Sequence, residues 1–271
     1  MSAQGLHVVD AGALVTLRLD RPDTLNSLTF EIYRELTDTF RRLRAREHLR
    51  CVVVTGTGRA FCTGGDVKDI IGPLLSMDAA QLLGFTRMTC DLVGAMRALP
   101  TPIVASLNGT VAGAGAAIAL ACDLRVAAES ARIAFLFVKV GLAGADMGAA
   151  YLLPRLVGYG RASELLMTGD FIGAQEALRI GLYNRVVPQE TLEAETAAFV
   201  ARLMRGPREG LRATKDALER EQSMSFEQAL GHEARVQAEL MLRPDFHEGF
   251  AAFSERRPAR FQGAPAPGDE A

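Results

Sequence analysis

The sequence predicts an α/β chain with a helical C-terminal part, and three observations carry that prediction. Short apolar runs with strand character alternate with helix-period segments through the first half. Two of the segments that follow such runs are unusually rich in glycine. After about residue 147 the spacing is helical almost throughout.

Each element has its own reason. Leu6 to Asp10 and Ala13 to Leu19 read as two strands around Ala11-Gly12. RPDTLNSL at 21–28 is a polar loop. From Phe30 the residues Tyr33, Leu36, Phe40 and Leu43 form the stripe of one buried helix face. CVVVT at 51–55 is a continuous apolar run, as a strand covered on both faces requires, and Gly56 and Gly58 turn the chain after it. Asp78 and Gln81 have the spacing of a capping box, and Phe85, Leu92, Met96 and Leu99 continue a helix that Pro100 and Pro102 stop. PIVASL at 102–107 is a further buried strand, a Gly/Ala-rich helix follows from about 113, and Asp123 to Ala128 is another strand. Asn184–Val187 is a short strand among the later helices. Ser225 and Gln228 form a second capping box before a helix to about Leu242. The expected organisation is a core over 1–200, a helical region over 201–257 and a loose tail over 258–271.

Composition narrows the function classes. A formal net charge of −2 gives no global attraction for nucleic acid or anionic membrane. Trp is absent and aromatics are 6%, so platforms for stacking bases are few. The arginines at 34, 41, 42, 44, 46 and 50 are balanced by Glu31, Glu35, Asp38 and Glu47 and read as a solvated face. The longest apolar stretch, Val111 to Cys122, is shorter than the ~20 residues a bilayer span needs. Cys51, Cys62, Cys90 and Cys122 make no CxxC pair and no metal-like cluster, so reduced cysteines, mostly in or near the core, and a cytoplasmic setting are expected. No secretory signal is read in MSAQGLHVVD.

The chemistry lies in AFCTGGDVKD at 60–69 and NGTVAGAGAAIALACDLR at 108–125. A strand entering a Gly-rich turn and a helix leaves backbone N–H groups unpaired and outward. Neither segment has a dinucleotide fingerprint, and GxxxxGK[ST] is absent.

These two segments resemble the pair that builds the oxyanion hole of the enoyl-CoA hydratase/isomerase (crotonase) superfamily. RPDTLNSL, LLPRLVGYGRASELLMTGD at 152–170 and ALRIGLYNRVV at 177–187 are similar to other stretches of that family, so the resemblance runs from about residue 6 to 257. It implies a spiral of ββα units with C-terminal helices that build homotrimers or dimers of trimers. It implies an acyl-CoA thioester as substrate, with coenzyme A present only as part of that substrate, no other cofactor, no metal and no membrane partner. The implied oxyanion donors are the amides of Gly65 and Ala114. The implied acyl-CoA contacts are Arg21, Leu25, Thr63, Gly64, Asp66, Val67, Lys68, Gly113, Phe137 and Arg256.

The family's hydratases use two glutamates. The matching positions hold Ala117 and Phe137, which cannot transfer a proton. Asp146, eight residues before Pro154, instead resembles the catalytic aspartate of the epoxyphenylacetyl-CoA and dienoyl-CoA isomerases. A simpler role for it is to cap a helix beginning near Met147. One carboxylate suffices to move a proton between two carbons while the oxyanion hole holds the dienolate, so the implied reaction is double-bond isomerisation. Hydration with a non-standard acid/base set is the first alternative. Aspartate-nucleophile dehalogenation, a silent acyl-CoA binder and an RNA-binding member are the others. His7, His48, His232 and His247 lie outside these motifs, and Asp123 reads as structural.

Overall fold

The protein's computed structural model describes residues 4–264. In chain order they form β1 (Leu6–Ala11), β2 (Leu14–Leu19), α1 (Phe30–Arg44), β3 (Cys51–Gly56), β4 (Ala60–Cys62), α2 (Gly72–Leu74), α3 (Ala79–Arg97), β5 (Ile103–Leu107), β6 (Thr110–Ala112) and α4 (Ala114–Ala121). Then come β7 (Leu124–Ala128), β8 (Arg132–Ala134), α5 (Ala149–Val157), α6 (Tyr159–Thr168), β9 (Ile172–Gly173), α7 (Ala174–Arg179), β10 (Arg185–Val187), α8 (Leu192–Met204), α9 (Arg208–Arg220), α10 (Phe226–Met241) and α11 (Pro244–Glu255).

The strands divide between two sheets. One has the order β1-β2-β3-β5-β7-β10 and the other β4-β6-β8-β9. Only the pairs β1–β2 and β8–β9 are antiparallel; the other pairs are parallel. Strands β3 and β4, β5 and β6, and β7 and β8 each send one member to each sheet. This repeated strand–strand–helix step matches the expected α/β spiral. The second sheet was not foreseen, because strands of two or three residues are too short to carry an alternating pattern.

Strand β3 shows why the large sheet reads as continuous apolar sequence. Val52 and Val54 pack with Ile32, Phe40 and Met96 in the main core. Cys51 and Val53 face the other way, against Leu192, Val200 and Met204 of α8. The stripe Tyr33, Leu36, Phe40 and Leu43 is buried as its spacing predicts. Both capping boxes form, with Asp78 accepting from Gln81 N–H and Ser225 from Gln228 N–H.

Several expectations change. Helix α5 begins at Ala149, not near Met147, and Gly148 is its cap residue, so Asp146 is not an N-cap. Arg50 is not on a solvated face: it is buried, and its guanidinium donates to the carbonyls of Met204, Gly206 and Gln262. Cys51, Cys62 and Cys122 are buried, whereas Cys90 is exposed. Part of the expected loose tail is tethered, since Arg260 N–H donates to Glu248 and Gln262 N–H to Asp245. The rest of that tail, 265–271, lies outside the described residues.

Asp123 is structural. It accepts from Ile103 N–H at 2.8 Å and pairs with Lys215 at 2.7 Å and Arg97 at 3.2 Å, which ties α9 to the end of β5. Among the described residues no helix is long and apolar enough to cross a membrane.

Candidate active site

The first Gly-rich loop leaves β4 at Cys62. Leu28 N–H donates to Gly64 O at 2.8 Å, and Asp66 N–H donates to Leu28 O at 2.9 Å. These two bonds make a parallel bridge between Leu28 and Gly65. In such a bridge the flanking residues hold the partner, so the N–H of Gly65 itself points away from Leu28. It has no acceptor among the described residues.

Asp66 then locks the loop. Its carboxylate accepts from Ser27 Oγ at 2.7 Å, Lys68 N–H at 2.9 Å and Asp69 N–H at 3.1 Å, and lies 3.2 Å from the Arg21 guanidinium. The Ser27 bond, more than burial opposes, holds its carboxyl below the usual range. The wide helical turn Val67–Ile71 follows from this cap.

The second loop begins at Gly113, whose φ of 52° and ψ of −124° suit glycine alone. Its carbonyl accepts from Ala116 and Ala117, and Ala114 opens α4. The N–H of a first helical residue has no intrahelical partner, and Ala114 N–H finds none elsewhere among the described residues. The two loops touch. A Cβ on Gly64 would lie 3.3 Å from Ala114 N, and one on Gly115 would overlap the Cys62 carbonyl. Glycine at these positions sets the distance between the loops.

Asp146 sits on the loop before α5, half-buried. Its Oδ1 accepts from Met147 N–H at 2.8 Å, and its own carbonyl accepts from Ala149 N–H. Met147 and Gly148 are both left-handed, with φ 47° and 80°, which turns the chain sharply after the carboxylate. Burial pushes the Asp146 carboxyl up, opposed only by the Met147 bond. Burial first, and then the Asp146 carboxylate, push up the Cys90 thiol. Ala117 and Phe137 are buried in the main core.

The remaining predicted residues divide. Arg21 donates to Ser27 O at 2.9 Å, while its own N–H donates to Asn26 Oδ1. Leu25 is left-handed (φ 56°), and its carbonyl accepts from Thr63 Oγ1. Val67 and Lys68 are exposed beside them, and the Lys68 ammonium has no ion pair among the described residues. Arg21, Leu25, Thr63, Asp66, Val67 and Lys68 therefore form one neighbourhood. Arg256 does not join it: exposed, it ends α11 with φ 55°, and no bond among the described residues links it to either loop. Its neighbour Arg257 is occupied by Glu248 and Glu255.

Asn26 and Ser27, which fix the polar loop beside Asp66, are not singled out by the sequence reading. Asn26 holds the polar loop by donating to the carbonyls of Thr57 and Ala60. Its signal was available, since Asn tolerates the left-handed φ of 57° found there. Among the described residues no group of three or more His, Cys, Asp or Glu side chains is placed to hold a metal ion.

Free amides on two touching loops are the equipment of an enzyme that handles negative charge developing on oxygen, and Asp146 adds a half-buried carboxylate. Comparison with known proteins identifies the family. The family described as Enoyl-CoA hydratase/isomerase matches residues 10–264. A "Probable enoyl-CoA hydratase" of Rhodobacter capsulatus is 39% identical over 97% of this chain and 100% of its own. The 1,2-epoxyphenylacetyl-CoA isomerase of Escherichia coli is 35% identical over 95% of this chain and 98% of its own. A crystallised candidate enoyl-CoA hydratase of Streptomyces coelicolor A3(2) is 48% identical with a TM-score of 0.93, covering 96% of this chain and 94% of its own. The chain belongs to the enoyl-CoA hydratase/isomerase family and is an enzyme of that family.

Proposed function

We propose that this enzyme moves the double bond of an enoyl-CoA, with Asp146 as the proton-shuttling base. The observation that carries this reading is the half-buried Asp146, whose carboxyl is raised by desolvation. A raised carboxyl is a stronger base once ionised. Ala117 and Phe137 supply no second proton-transfer group at the hydratase positions.

The mechanism balances with one base. Asp146 takes a proton from C2 of a 3-enoyl thioester, and the electron pair moves through the thioester carbonyl and the C3–C4 double bond. The Gly65 and Ala114 amides donate to the resulting dienolate oxygen, and the N-terminal end of α4 adds its dipole. Asp146 returns the proton to C4, leaving the conjugated 2-enoyl thioester. The CoA portion lies along Arg21, Leu25, Thr63, Gly64, Asp66, Val67 and Lys68, with Gly113 and Phe137 toward the acyl end. The Asp66 carboxylate serves by shaping this loop, because its oxygens are already engaged.

Hydration is the second reading, favoured by the name of the Rhodobacter capsulatus relative. The two are separated by an absorbance assay of wild type and Asp146→Asn with a 3-enoyl-CoA and, separately, a 2-enoyl-CoA. Isomerisation gives a conjugated product from the first substrate with wild type only. Turnover of only the second substrate would select hydration and remove our assignment.

The exposed Phe226, Leu242, Phe250 and Phe253 on or beside α10 and α11 support assembly into homotrimers or dimers of trimers through this region. Arg256, at the end of α11, is read as a CoA contact from this region. Analytical ultracentrifugation tests this: three or six chain masses are expected, and a monomer at micromolar concentration contradicts it.

A further inference from the structure

The large sheet carries a cavity on the face turned away from the two Gly-rich loops. Side chains alternate across β3: Val52 and Val54 enter the main core with Ala114 and Ala117, whereas Val53 joins the opposite cluster under α8. On that opposite face a cavity of about 460 Å³ lies between β2, β3 and β5 on one side and α8 on the other. Its size is that of a small-molecule site. Gly65, Ala114 and Asp146 do not line it.

The cavity changes character along the strands. At one end Leu14, Val53, Leu192 and Val200 make apolar walls that continue the second core. At the other end Arg18, Thr55 and Ser106 stand side by side on β2, β3 and β5. Central parallel strands covered on both faces are ordinarily apolar, so buried Thr55 and Ser106 are unusual there. Their hydroxyls are fixed: Thr55 Oγ1 donates to Ser106 O at 2.9 Å, and Ser106 Oγ lies 3.1 Å from Thr196 Oγ1 of α8. Glu193, one turn before Thr196, brings a carboxylate to this polar end.

Two opposite charges are left over. The half-buried Arg18 and the exposed Glu193 line one cavity, yet neither side chain has an ion pair or hydrogen bond among the described residues. Thr57 Oγ1, in the same wall, is buried without a partner. A simple carboxylic acid would use Arg18 and meet Glu193 as a like charge; a simple amine would do the reverse. A ligand that carries both charges uses both residues.

We propose that this cavity binds a small zwitterion with an apolar side chain, an α-amino acid of the leucine or phenylalanine kind. Its carboxylate pairs with the Arg18 guanidinium, whose fork matches it, and its ammonium pairs with Glu193. Its side chain lies on Leu14, Val53, Leu192 and Val200. The site stands apart from the proposed thioester chemistry and does not depend on it.

The test is calorimetric titration of the full chain with leucine and with phenylalanine, each beside the same molecule lacking its amine and the same molecule lacking its carboxylate. At least one amino acid is expected to bind at about millimolar concentration, and about tenfold more tightly than either of its truncated forms. Arg18→Gln and Glu193→Gln should each weaken that binding about tenfold. Neither side chain holds another part of the protein, so both variants should fold. A deaminated acid that binds as tightly as its parent overturns the proposal. So does binding that neither substitution weakens, or that free coenzyme A displaces, since the ligand then sits elsewhere. Absence of binding by both amino acids at about 10 mM also overturns it.

Discussion

At the scale of single residues, two unpaired amides and one carboxylate carry the account. Asp146→Asn keeps the Oδ1 acceptor for Met147 N–H but removes the base, so isomerase turnover should fall by about 100-fold or more. The same change should raise thermal stability. The folded carboxyl is raised by burial, so its protonated form favours the fold, and that contribution is lost as pH rises through the folded value. At neutral pH the ionised Asp146 therefore opposes folding, and a neutral amide relieves this. A calorimetric midpoint lower in Asp146→Asn than in wild type would contradict it. The sign for activity is opposite: turnover needs the ionised form, so the acidic limb of the pH–rate profile should lie above the ordinary carboxylate range of about 4. An acidic limb below that range would tell against Asp146 as the base. Gly65, Ala114 and Asp146 are singled out by the resemblance of their segments to the family, and periodicity alone marks none of them. Asn26 and Ser27 were legible only as part of a polar loop, since composition marks a loop and not which carbonyls and carboxylates its side chains hold.

At the scale of elements, the close approach of the two Gly-rich loops decides whether the amides converge. Gly115→Ala would push a methyl group into the Cys62 carbonyl, and overpacking of this kind costs about 2 kcal/mol. Denaturant unfolding should show that loss together with reduced turnover; unchanged stability would mean that the loops are not held this tightly. The strands of the large sheet and the capped helices were readable, since continuous apolar runs and capping boxes are local signals. The start of α5 was not. Asp146 has the sequence character of a cap, yet Met147 and Gly148 intervene with left-handed backbone, and the helix is entered two residues later than the cap pattern suggests.

At the scale of the whole molecule, the C-terminal helices are joined to the core by polar contacts that span long stretches of sequence. Lys215 on α9 pairs with Asp123, Arg97 joins Asp123 to Glu219, and Arg50 reaches the carbonyls of Met204 and Gly206 at the end of α8. Asp123→Asn would leave the buried Lys215 ammonium without its carboxylate, and loss of one member of a buried pair costs about 3 kcal/mol or more. A stability change below about 1 kcal/mol in chemical unfolding would show that this junction is dispensable. The resemblance located such a helical region, but no short-range pattern shows which charges hold it. Under the proposed function the molecule as a whole is a scaffold that keeps two amides and one carboxylate around one acyl group. The most direct measurement of that claim follows the proton itself, by NMR of a 3-enoyl-CoA deuterated at C2. A single shuttling base predicts that part of the label reappears at C4 of the 2-enoyl product, and that Asp146→Asn forms product about 100-fold more slowly or not at all. Rapid product formation by Asp146→Asn, or wild-type product carrying no label at C4, would contradict it.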